Sequence, residues 1–281
     1  MPIKDVFLPL VGEPSPAAIA AIDKCVAVSV DFGARISALA IEQDVLVRPT
    51  VIVSSDLDNA AASEAVRSVT DVQALLKAFD LAVVRFAVRN EQKLARLEAA
   101  DAASKVAEYA RLRDMSLVPV KSHDGRSEKI VELLLFESGR PVLICPEDIA
   151  TELPILFDHV LIAWDHSAPA AARAVADALP MLQSAGIVHV ITATDNATPE
   201  EMRSGAALVD HLAEHGINAI FESVRIDGSS IGKVFEAYVK KNTVDLLVMG
   251  AYRHSRLNEI IWGGATKTVI GQPPCWVMMS R

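Results

Sequence analysis

The run Val244-Asp-Leu-Leu-Val-Met-Gly250 continues as Ala-Tyr-Arg-His-Ser-Arg-Leu-Asn-Glu-Ile-Ile-Trp-Gly263-Gly264-Ala-Thr266. Apolar residues fill Val244 to Met249 apart from Asp245, and Gly250 stops them. A strand buried on both faces of a parallel sheet reads this way. A polar loop follows, and Gly263-Gly264 opens a stretch, Ala265 to Ile270, that can be helical. Strand, glycine, loop, paired glycines and helix start are the parts of a phosphate-cradling turn. Glycines let backbone N–H groups approach an anion, and the first helical turn adds unsatisfied donors and positive dipole. An ordinary strand–loop–helix connection has the same parts, so the stretch alone leaves both readings open.

Outward from this stretch, the second half of the chain alternates strand and helix. His159 to Trp164 reads as a strand ending at Asp165-His-Ser167, and Pro169 to Leu182 as a helix. Val188 to Ala193 is a strand, Pro199 to His215 a helix backed by Gly216, Asn218 to Ile226 a strand and Ser230 to Lys241 a helix. Cys275 to Met279 closes the sheet. The first half runs in parallel. Ile3 to Val11 reads as a strand, Ala17 to Phe32 as an Ala-rich helix and Ala34 to Ile41 as a strand. Val45 to Val53 is either strand or loop, Asp58 to Val69 reads as helical and Val69 to Phe79 can continue that helix, and Leu81 to Val88 alternates as a strand does. Glu91 to Arg111 carries Leu94, Leu97, Ala102 and Val106 at helical spacing. Met115 to Val120 is a strand, Glu128 to Glu137 a helix and Pro141 to Cys145 a last strand, and Pro146 to Pro154 reads as a linker.

Superposed by sequence, the halves match. Asp5-Val-Phe-Leu-Pro-Leu-Val11 falls on His159-Val-Leu-Ile-Ala-Trp-Asp165, and Asp114-Met-Ser-Leu-Val on Asp245-Leu-Leu-Val-Met. Glu137-Ser-Gly-Arg-Pro-Val-Leu-Ile falls on Ile270-Gly-Gln-Pro-Pro-Cys-Trp-Val. One β-α-β-α-β-α-β-α-β unit is used twice. Each copy predicts a doubly wound, mostly parallel five-stranded α/β sheet with right-handed crossovers, a Rossmann-like domain. The expected division is 1–147 and 157–281, with 148–156 as linker. The 281 residues accommodate two such domains, and a 51% hydrophobic composition gives each a core.

Net charge is −9 and pI about 5.3, with no Lys/Arg cluster, which argues against a nucleic-acid partner. No apolar run approaches membrane-spanning length, and the amino terminus lacks a charged-then-apolar leader. Cys25, Cys145 and Cys275 are odd in number and far apart. They fit reduced, buried thiols of a cytoplasmic protein rather than disulfides or zinc ligands.

On these residues the chain resembles the universal stress protein family in its tandem form, over about 3–145 and 157–281. Members that bind ATP carry Gly, two residues, Gly, nine residues, then Gly and Ser or Thr. Here Gly250 and Gly263 stand at the first and third glycine positions, Arg253 at the second and Gly264 at the Ser/Thr position. The resemblance implies that Asp165 meets the adenine or ribose. It implies that Gly250, Gly263, Gly264 and Ala265 wrap ribose and phosphates. Ala163, Ala193 and Met249, near the ends of their strands, complete the candidate set. The implied cofactor is ATP or a related adenine nucleotide, with or without Mg²⁺.

Gly264 removes a hydroxyl yet keeps a backbone N–H. Arg253 either offers a bidentate phosphate contact or is a solvated loop charge beside Arg256. In the first half Val11 stands where Asp165 does, Pro119 replaces the strand-ending glycine, and Lys121-Ser-His-Asp-Gly-Arg126 is a shorter loop. That half therefore reads as a partner domain that kept the fold and lost the site.

Catalytic chemistry finds little support. Asp165-His166-Ser167 are too close in sequence to converge as a triad. His211 and His215 sit at i, i+4, the spacing of a shared metal, but no Glu follows His211 and the pair reads as a solvated helix end. The expectation is a stress-response protein that binds nucleotide and signals through conformation or protein partners. Slow ATP hydrolysis and a nucleotide-free interaction protein are the alternatives. The closing strands of the two halves are expected to pair antiparallel, forming an internal pseudo-dimer, and a homodimer of the whole chain stays open.

Overall fold

The computed structural model describes residues 2–43, 55–97, 99–149, 153–166, 168–251 and 264–281. The first half runs β1 (Asp5–Leu10), α1 (Pro16–Asp31), β2 (Arg35–Gln43), α2 (Ser55–Phe86), β3 (Asn90–Leu97), α3 (Ala99–Arg111), β4 (Met115–Val120), α4 (Gly125–Glu137) and β5 (Val142–Pro146). The second runs β6 (His159–Ala163), α5 (Pro169–Leu182), β7 (Ile187–Ala193), α6 (Pro199–Glu214), β8 (Ala219–Val224), α7 (Ile231–Asn242), β9 (Leu246–Gly250), α8 (Gly264–Gly271) and β10 (Trp276–Ser280). Helix starts follow from local chemistry. Ser15 caps α1 ahead of Pro16, and Thr198 with Glu201 closes a capping box on α6 ahead of Pro199.

The strands form one ten-stranded sheet in the order β3-β2-β1-β4-β5-β10-β9-β6-β7-β8. Each half contributes five parallel strands in the same internal order. The joint is the antiparallel pair β5–β10, in the register Val277↔Ile144, Met278↔Leu143 and Met279↔Val142. The closing strands thus pair as expected, and in doing so they fuse two five-stranded sheets into a single one. As separate sheets the halves do not exist.

The repeat extends to side chains. Asp114 Oδ2 accepts from the backbone N–H groups of Lys4 (2.8 Å) and Asp5 (3.0 Å) at the start of β1. Asp245 Oδ2 accepts from those of Asp158 (3.1 Å) and His159 (2.8 Å) at the start of β6. In each half one aspartate ties the start of the first strand to the strand beside it.

Period-2 alternation splits the core between the two faces of the sheet. Val160 and Ile162 pack with α5 and α6, whereas Leu161 and Ala163 pack with α7 and α8. Both clusters run across the β5–β10 joint, because Cys145 and Trp276 belong to one, and Ile144 and Val277 to the other.

Two expectations fail. Glu91 to Arg111 is not one helix: residues 90–97 form edge strand β3, paired to β2 from Ile36↔Asn90 to Gln43↔Leu97, and only Ala99–Arg111 is helical. Glu, Gln, Lys, Leu, Ala and Arg favour helix, yet eight ladder pairs override them. Leu94, read as part of a helical stripe, is 47% exposed. Leu81 to Val88 is not a strand either, since α2 runs through to Phe86. The stripe Val72, Leu75, Ala78, Phe79, Ala82 and Val83 is buried at helical spacing. Val45 to Val53, Ser167, Arg253 and Gly263 lie outside the described residues.

Candidate functional site

In the second half β6 and β9 lie side by side and parallel, with Ala163 opposite Met249. The chain leaving β6 becomes α5 on one face, and the chain leaving β9 becomes α8 on the other. Divergence of the crossovers opens a crevice at the carboxyl ends of the two strands, where ligands of doubly wound sheets collect. A cleft of about 400 Å³ lies there, within the about 300–1,000 Å³ range of small-molecule sites.

All seven described residues of the candidate set line it. Ala163 and Asp165 come from the end of β6, Ala193 from the end of β7, and Met249 and Gly250 from the end of β9. Gly264 and Ala265 come from the first turn of α8. Sequence reasoning missed the walls supplied by Ala171 of α5, Glu201 of α6 and Phe235 of α7. Small Ala residues at helix starts carry no signal of their own. Phe235 reads as an ordinary core residue of α7.

Close packing fixes the floor. A Cβ on Gly250 would stand 2.5 Å from the Ala171 backbone N and 2.6 Å from the Ala170 carbonyl carbon. Glycine at this strand end is therefore what lets α5 begin against β9. Trp164 is held on three sides. Its N–H donates to the Ile191 carbonyl (2.8 Å), its carbonyl accepts from Thr192 Oγ1 (3.1 Å), and its indole N–H donates to Ser204 Oγ (3.0 Å). The β6 exit, and Asp165 with it, is thus anchored to β7 and α6.

Among the described residues, the lining presents carboxylates and no Lys or Arg side chain. Glu201 is already engaged, because its Oε2 accepts the Thr198 backbone N–H at 2.8 Å. That hydrogen bond is the main reason its carboxyl sits below the ordinary range; the Thr198 side chain and His166 lower it further, and Asp165 opposes them. A carboxylate so occupied is a poor general base. Among the described residues no group of three or more His, Cys, Asp or Glu gathers that could hold a metal ion.

The helix start opposite Asp165 is the anion-ready wall. α8 begins at Gly264, and its first turn, Gly264 to Thr266, brings the positive end of the helix dipole to the cleft. The equivalent place in the first half differs. There Asp124 caps α4, accepting from the backbone N–H groups of Arg126 and Ser127. A carboxylate of the chain occupies the position an anionic ligand would take. The corresponding cleft, bordered by Val11 and Pro119, measures about 210 Å³.

Residues 156–281 match the model of the universal stress protein family. Over the whole chain the fold is similar to a universal stress protein from Archaeoglobus fulgidus DSM 4304, with a TM-score of 0.66 at 16% identity, covering 99% of this chain and 96% of that one. It is also similar to a putative universal stress protein from Pseudomonas aeruginosa UCBPP-PA14, with a TM-score of 0.58 at 15% identity, covering 99% and 93%. At these identities the likeness is one of fold. No curated protein matches the sequence.

Proposed function

We propose that the second half of this chain, whose residues 156–281 match the universal stress protein family model, binds an adenine nucleotide. Residues 1–147 and 157–281 act as two domains joined by 148–156, with the ligand in the second alone. One observation carries the reading: the two halves share topology, yet the cleft at the α8 end measures about 400 Å³ against about 210 Å³ at the α4 end. The α4 end is filled by Asp124. Backbone N–H groups of Gly264 to Thr266 would take phosphate oxygens, and Asp165 would accept a ribose hydroxyl or base amino proton. Ala163 and Ala193 leave room between strand ends. Gly263 and Arg253 border the same loop in sequence, and Mg²⁺ would reach the site on the phosphates.

The protein purified from its expression host should release material absorbing at 260 nm on denaturation. In apo protein, ATP at a hundredfold excess over Kd should raise stability by about 2.7 kcal/mol. Asp165→Ala should weaken the preference for adenosine over other nucleosides more than it weakens phosphate affinity. No stabilisation by any adenine nucleotide would overturn the proposal. It would leave the competing reading, an interaction protein with an empty cleft, which the absence of Lys and Arg from the described lining favours. Slow ATP hydrolysis would show as nucleotide turnover by the loaded protein.

A further inference from the structure

His211 and His215 stand one turn apart at the carboxyl end of α6, both exposed, with ring centroids 4.9 Å apart and planes at 77°. That spacing can be checked against coordination geometry. A metal–imidazole bond of about 2.0–2.1 Å places each ring centroid about 3.2 Å from the ion, so adjacent ligands at about 90–110° have centroids about 4.5–5.2 Å apart. The observed separation falls inside that window. Rotation about χ2, unhindered in solvent, turns one nitrogen of each ring toward a common point.

We propose that His211 and His215 form a bidentate chelate for a transition-metal ion on the outer face of α6, remote in role from the nucleotide cleft. Imidazole nitrogens select copper, nickel and zinc over magnesium and calcium, which demand oxygen ligands. Within that group affinity peaks at Cu²⁺. With no group of three or more candidate ligands among the described residues, the ion keeps water at its remaining positions, so the site is open and exchangeable. The chain's net charge of −9 favours cation approach. The other close pair, His159 and His189 at 5.0 Å, is unsuited to this: His189 Nδ1 is engaged by the Tyr238 hydroxyl, and His159 Nε2 is buried. In sequence the pair has the spacing of a shared metal but reads as a solvated helix end. The ring geometry and exposure now supply what the missing Glu of a catalytic zinc motif took away, since a chelate needs no general base.

The test is a titration of the untagged full-length chain with Cu²⁺ against a chromogenic chelator at pH 7.5. His211→Ala and His215→Ala should each weaken the tightest site at least tenfold, and the double variant should be no more than about twofold worse than either single one. This non-additivity is what separates a chelate from two lone imidazoles. Single variants that keep wild-type affinity, or losses that multiply in the double variant, would overturn the proposal. Both side chains are exposed, so circular dichroism should show all variants folded.

Discussion

Replacing Gly250 by alanine tests whether the α5 start packs on β9 as described. The added Cβ would stand 2.5 Å from Ala171 N and 2.6 Å from the Ala170 carbonyl carbon, both backbone atoms that no rotamer change can move. Ordinary contact begins near 3.4 Å, so the first turn of α5 must retreat by about 1 Å, an overpacking cost of about 1–3 kcal/mol. Against this, alanine restricts the unfolded chain and returns about 0.4–1 kcal/mol. The net loss is about 1–2 kcal/mol, which for a chain of this length lowers Tm by about 2–4 °C. Gly264→Ala is the control. Among the described residues nothing lies within 4 Å of its would-be Cβ, and it opens a helix, so it should leave Tm level or raise it slightly. Calorimetry on the two variants side by side is the assay. Equal melting of both, or a rise for Gly250→Ala, would mean that α5 does not abut the end of β9. The floor assigned to the cleft would then be wrong.

Val277 is fully buried and lies between Ile144 and Leu247 at the joint of the halves, so Val277→Asp should cost about 3–5 kcal/mol as an unpaired buried charge. Urea denaturation indistinguishable from wild type would put β10 elsewhere. Burial, then the neighbouring His159, hold the His189 imidazole below its ordinary range, with Glu222 opposing them. The fold therefore prefers neutral His189. Its contribution is present above about pH 6.5 and lost as pH falls from there through the lowered folded value. Stability measured from pH 8 to 5 should drop over that window, and less so in His189→Gln. Tyr238 donates to Glu222 and meets His189 Nδ1 at 2.5 Å, so Tyr238→Phe should cost about 1–2 kcal/mol near neutrality; no loss would remove the network from the stability account. All three cysteines are buried, and burial pushes the Cys25 and Cys275 thiols up. None should react with a thiol reagent in the native state and all three should after unfolding; a fast native thiol would contradict the packing around α1 and β5 or before β10.

The sequence determined by itself what depends on burial along a single element. Val244 to Met249 reads as a doubly covered strand because both its faces are apolar, and the structure buries them all from Leu246 to Met249. The repeat was legible for the same reason. Asp114 and Asp245 stand at matching positions, and each turned out to tie down the first strand of its half. Candidate residues near strand ends were legible because glycine and aspartate after an apolar run mark where a buried strand stops.

What lay beyond the sequence depends on a neighbour. β3 is an edge strand, half-covered and charged, so it has no period-2 signal, and its helix-favouring residues misled until β2 was there to pair with them. The strand-like alternation at Leu81 to Val88 was an accident of composition, settled by which side of α2 met the sheet. Cleft walls from Ala171, Glu201 and Phe235, contributed by three helices, come together only because crossovers leave β6 and β9 on opposite faces. Fusion into one sheet is likewise tertiary. The unsatisfied ladder groups of β5 and β10 are local facts, but only the placement of the two halves lets each strand satisfy the other.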